Sequence, residues 1–186
     1  MNSSDETIVE LSKTKILLAL LAAAAFAAAG VHWLSLDADH ILTERAFGIL
    51  FNSPPLVYGI AVLAIAMFVL VLLLSIKKLF DRKPGLVFNS EGILDNASSV
   101  SAGMIPWSDV VGSEIFQVQD NKILIIKVKD PEKYFERGSS LKKAINKGGY
   151  NGNPIGISTI TLKVKFPELV ALFNQYHQKY GNAATE

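Results

Sequence analysis

The sequence predicts an α+β chain: an N-terminal transmembrane helical hairpin, then an antiparallel β domain closed by a C-terminal helix. Three observations predict it. Residues 16–36 and 56–76 are apolar over the length that crosses a bilayer. Residues 86–164 hold short β-rich runs separated by turn residues. Leu169, Leu172, Phe173, Tyr176 and Tyr180 then fall at helical spacing and form one apolar stripe.

Composition supports this division. Of 186 residues, 50% are hydrophobic and 19% charged, below the roughly 25% charged residues of soluble domains. Eighteen Lys and Arg balance 17 Asp and Glu, so no nucleic-acid partner is expected. The chain has no cysteine. Disulfides, thiolate metal sites and cysteine nucleophiles are therefore excluded.

The first span, 16–36, contains no ionisable residue except His32, and the second, 56–76, contains none. Lipid offers backbone groups no water, so each must be helical. Lys13, Lys15 and the Ala27-Ala28-Ala29 run also fit a signal peptide. Against that, the leader carries Asp5, Glu6 and Glu10, and the apolar run continues through Trp33 to Leu36. A retained helix is expected. The alanines of the first span and Gly59, Ala61, Ala64 and Ala66 of the second suit close packing within the hairpin.

Basic residues set the direction. Lys13 and Lys15 precede the first span; Lys77, Lys78, Arg82 and Lys83 follow the second. The loop 37–55 carries Arg45 against Asp37, Asp39 and Glu44. The positive-inside rule places that loop outside and both termini in the cytoplasm. The expected order is a cytoplasmic segment 1–15, the two spans around an external loop, a basic linker 77–85, a cytoplasmic domain 86–180 and a tail 181–186.

Within the domain, Leu86-Val87-Phe88 and Ile93-Leu94-Asp95 read as strands around an Asn89–Gly92 turn. Met104-Ile105-Pro106-Trp107 leads into a strand 110–119, Asp120-Asn121 signals a tight turn, and 122–129 is a further strand. Asp130-Pro131 starts a helix over 132–147, whole or broken at Gly138. Residues 155–164 return to strand, and Pro167 opens the last helix.

This order, with the segment GLVFNSEGILDNASSVSAGMIPWSDV (85–110) and DPEKYF (130–135), resembles little-characterised bacterial two-helix inner-membrane proteins with a C-terminal pleckstrin-homology-like (PH-like) domain. The resemblance implies a bent antiparallel sheet or partly open barrel capped by the final helix. It also implies residence in the inner membrane as a multi-pass protein. It implies no reaction. Familiar PH domains bind phosphoinositides through basic residues on the first two strands; here residues 84–121 hold no Lys or Arg, so that site is absent.

Candidate sites are few. His32, His40 and His177 are scattered without metal-ligand spacing. Asp95 could meet Asp109 or Glu91 as a carboxylate pair, but no base or metal motif accompanies them. No catalytic, cofactor or metal residue is expected. Between Lys122 and Lys147, eight basic residues face three acidic ones. Lys142, Lys143 and Lys147, with Lys77, Lys78, Arg82 and Lys83, are the candidates for facing the lipid bilayer. Trp107 is the candidate for contacting a partner, against the alternative of a strand-end core position. The expected role is a membrane-anchored binding or scaffold module for a protein, a peptide or a second copy. The alternatives are an anionic-lipid sensor and an accessory subunit of a membrane enzyme.

Overall fold

The computed structural model describes residues 5–35, 54–98, 101–119, 121–136 and 153–181. It is a mixed α+β structure with two long apolar helices and two antiparallel sheets. It divides into two compact units, one of residues 16–81 and one joining the first 15 residues to those from Arg82 onward.

The helical unit holds α1 (Lys13–Leu34, whose first turn belongs to the other unit) and α2 (Pro54–Leu79). Two stretches, Lys13–His32 and Tyr58–Leu79, are long and apolar enough to cross a membrane, with mean hydropathies of 2.0 and 3.0. Almost none of this apolar surface is buried within the protein, unlike a soluble core helix. The two helices touch through small and aromatic residues. The Phe26 and Phe68 rings stack with centroids 5.3 Å apart. A Cβ on Gly30 would lie 3.0 Å from Ile65 Cγ1. Gly30 thus gives Ile65 of α2 room for close approach.

The β unit contains an element that the sequence does not announce. Thr7–Val9 forms β1 and pairs antiparallel with β2, Leu86–Phe88, in the register Thr7↔Phe88, Ile8↔Val87 and Val9↔Leu86. The segment 1–15 is therefore no separate tail, and the domain does not begin at residue 86. Next follow β3 (Gly92–Asp95) and β4 (Gly103–Pro106), completing a sheet in the order β1-β2-β3-β4. The turn between β2 and β3 is an Asx turn, in which Asn89 Oδ1 accepts from the backbone N–H of Glu91 and Gly92 at 3.0 and 3.1 Å.

A 3-10 turn, Trp107–Asp109, leads to the second sheet, β5-β6-β7. Strand β5 spans Val110–Val118 and β6 spans Asn121–Val128. The turn between them lies one residue earlier than expected: Val118 pairs with Asn121, and Gln119 takes φ 52°. That left-handed geometry fits the primed turns of two-residue hairpins. Asp130 then caps the short helix α3 (Pro131–Phe135), accepting from the Lys133 N–H. The continuation to residue 147 lies outside the described residues.

The expected strand 155–164 shrinks to β7, Gly156–Ser158. Ile157 and Leu162 are both buried, although they differ in parity, so an unbroken strand would place them on opposite faces. A turn resolves the conflict: Leu162 N–H donates to Thr159 O, and Leu162 forms a bridge with Leu11 instead of β6. Helix α4 (Phe166–Tyr176) follows, its start fixed by Glu168, which accepts from the Lys165 N–H at 3.2 Å. Its buried Leu169, Phe173 and Tyr176 join Leu86, Phe88, Ile93, Ile105, Leu124 and Ile126 in the core.

Candidate interaction surfaces

The β unit is closed where its N-terminal segment meets its C-terminal elements. Leu11 is buried against Leu162, Ser12 N–H donates to Thr161 O at 2.7 Å, and Lys163 N–H donates to Glu10 O at 2.9 Å. Side chains reinforce the closure. Lys163 Nζ lies 2.6 Å from Glu10 Oε2, and Lys15 Nζ donates to the carbonyls of Thr159 and Leu162 at 3.1 and 2.8 Å. Beyond α4 the backbone widens into a π-type turn, His177–Gly181. From it Lys179 reaches Asp5 at 2.5 Å, and the Tyr180 hydroxyl donates to the same carboxylate.

These pairs move the ionisation of their members. The hydrogen bond from Lys179, then that from Tyr180, holds the Asp5 carboxyl below its usual value. Lys163 does the same for Glu10. In return Asp5 raises Lys179 and Tyr180. Glu10 and Lys179 are exposed and Asp5 and Tyr180 only half-buried, so the pairs align the segment more than they hold it.

Trp107 is not at the surface. It is 2% exposed, its indole N–H donates to Asn89 O at 2.8 Å, and its ring packs near those of Phe173, Tyr176 and His177. The polar edge thus finds a backbone acceptor while the ring fills the space under α4. As the candidate for partner contact it is corrected to a core residue.

The two aspartates each have structural partners. Asp95 is buried and accepts from the N–H groups of Ala97 and Ala102 at 2.9 and 2.8 Å, pinning the loop between β3 and β4. Asp109 accepts from Lys133 Nζ at 2.6 Å and from Tyr134 OH at 2.7 Å, tying the 3-10 turn to α3. Both are satisfied by structural partners. Among the described residues no buried side-chain nitrogen or oxygen lacks a hydrogen-bond partner, and no three His, Asp or Glu side chains are gathered to hold a metal.

Of the basic candidates, Lys77, Arg82 and Lys83 are exposed. Lys78 is corrected: its side chain is 8% exposed and its ammonium lies 3.0 Å from Asp81, so it is a paired residue and not an open cation. Lys142, Lys143 and Lys147 lie outside the described residues.

A surface that the sequence reading does not single out is β5. Among the described residues it pairs with β6 alone and so lies at the border of its sheet. Val111, at the bulge between Val110 and Gly112, is 61% exposed, and Ile115 is 52% exposed. A border strand offers unpaired backbone groups, and exposed β-branched residues beside them suit an added strand. The exposure arises because β5 lacks the alternation of a half-buried strand: Ser113, Glu114, Ile115 and Gln117 are all exposed.

Compared with known protein families, curated proteins and solved structures, the chain matches none.

Proposed function

We propose that this protein is a membrane-anchored PH-like binding module, with a transmembrane hairpin inserted between the first and second strands of its domain. The observation that carries the reading is the pairing of Thr7–Val9 with Leu86–Phe88. Strands on either side of α1 and α2 share one sheet, so they occupy one side of any membrane. Two spans return the chain to its starting side, and one span would not. The basic residues flanking the helices favour the cytoplasmic side for it, and the resemblance given above points to a bacterial inner membrane.

Support for the PH-like reading comes from the two antiparallel sheets, of four and three strands in chain order, followed by a helix whose apolar stripe enters the core. Its role is binding, not catalysis, and its occupant is an extended segment of a protein partner added along β5. Support comes from the exposed Val111 and Ile115 on that border strand.

Absence of native cysteine makes the topology directly testable. Single cysteines at Glu6 and Glu91, both exposed, should resist a membrane-impermeant maleimide in intact cells and react after permeabilisation. Labelling of one site and not the other in intact cells would overturn the hairpin. For the partner, a photocrosslinker at Ile115 should capture one distinct protein, while one at Gln175 on α4 should not. Adducts only between copies would make the module a homo-oligomeric scaffold instead.

A further inference from the structure

We propose that the turn Ser158–Lys163 seats on the lipid bilayer surface, with the Ile160 side chain inserted among the headgroups. The inference rests on the membrane reading above and extends it to a defined contact. Ile160 is 56% exposed on a turn whose conformation is held from both ends. Ser158 Oγ accepts from the Ile160 N–H at 3.3 Å, and the Leu162 N–H donates to Thr159 O at 3.2 Å. Thr161 Oγ1 donates to Ala97 O at 2.6 Å, fixing the turn to the loop after β3.

The occupant follows from the chain that pairs with this turn. Leu11 bridges Leu162, and Ser12 N–H donates to Thr161 O. Lys15 donates to two carbonyls of the same turn, Thr159 O and Leu162 O, and the next residue is Ile16, where the apolar span begins. The backbone on either side of the tip is thus bound by Lys15, the residue just before the apolar span.

The charge fits an anionic leaflet. Residues 10–15 and 158–168 carry Lys13, Lys15, Lys163 and Lys165 against Glu10 and Glu168, and all four lysines are exposed. An apolar tip within a net basic collar is the composition of an interfacial contact. A protein partner would have to reach this turn beside the entry point of the span, where lipid is already present at high local concentration.

The test uses the full chain with single cysteines Ile160→Cys, Ile115→Cys and Leu63→Cys, each carrying an environment-sensitive fluorophore. The variants are reconstituted in vesicles of phosphatidylcholine and phosphatidylglycerol that contain a lipid-borne quencher. The label at position 160 should be quenched several-fold more than that at 115, and the label at 63 should be quenched strongly. If 63 is quenched and 160 behaves like 115, the turn does not touch lipid and the anchor stands. If 63 is not quenched either, the membrane reading itself fails and takes this inference with it. A blue-shifted but unquenched label at 160 would mean that protein covers the turn, which also overturns the proposal.

Discussion

The hydroxyl oxygens of Thr7 and Tyr176 lie 2.9 Å apart, joining the first strand to the last helix across 169 positions. Around that contact the N-terminal segment supplies Val9 and Leu11 to the core. Truncating Leu11 to Ala should cost about 2–4 kcal/mol, as for other buried leucines. Truncating Ile8, 57% exposed on the neighbouring strand position, should cost less than about 1 kcal/mol. Chemical unfolding of the full chain in detergent, followed by Trp107 fluorescence in a Trp33→Phe background, separates the two.

The same closure makes stability depend on pH at both extremes. Asp5 and Glu10 have carboxyl groups held below their ordinary values by Lys179 with Tyr180, and by Lys163. A depressed folded value stabilises above the unfolded value and is lost as pH falls through the folded one. Lys179 and Tyr180 are raised, so their contribution is present below their unfolded values and lost as pH rises through the folded ones. Thermal midpoints measured against pH should fall in acid, and the double variant Asp5→Asn, Glu10→Gln should flatten that fall. High salt should shrink the difference, because the pairs are exposed.

Gly92 opens β3 where the chain has no room for a side chain. A Cβ there would lie 2.1 Å from Ile105 O and 2.8 Å from Pro106 Cα. Both are backbone atoms of the paired strand, so no rotamer change relieves the clash. Gly92→Ala should cost about 2–3 kcal/mol or more through strand separation. Protease digestion should then cleave within the strands Leu86–Phe88 and Gly92–Asp95, which should resist it in the parent chain.

Trp107 separates packing from binding. Trp107→Phe keeps most of the ring and loses the bond to Asn89 O, at about 1 kcal/mol. Trp107→Ala should cost about 3–5 kcal/mol. Neither should change the identity of a protein crosslinked at Ile115. A Trp107→Phe chain of near-parent stability that loses its partner would instead restore this residue to the interface.

Much of this fold can be read from residues in the chain, and the gaps have physical causes. The two long apolar helices are legible because about twenty apolar residues in succession have few other uses. Asn89, Asp130 and Pro167 mark their turns and helix starts through local hydrogen bonding and fixed φ, so they too are legible. Strand β1 is not, because three residues before a helix carry no usable period and its partner lies beyond both spans. The end of β7 is hidden for a similar reason: Leu162 is buried by Leu11, not by a neighbour in sequence. Trp107 looks the same in sequence whether its indole N–H meets Asn89 O or a ligand. The border position of β5 depends on which strands pair, which periodicity does not encode.

The insertion of α1 and α2 between two strands of one sheet sets an order for biosynthesis. Thr7–Val9 leaves the ribosome first, yet its ladder partner Leu86–Phe88 emerges only after both apolar helices. Until then the strand has no ladder partner, and the sheet can close only after both apolar helices have been made. A fragment that begins after the second helix would never receive its first strand. It would leave β2 with an open edge, and Leu162 and Gly85 without the leucine that covers them, so secretion or expression of that fragment alone should yield aggregates.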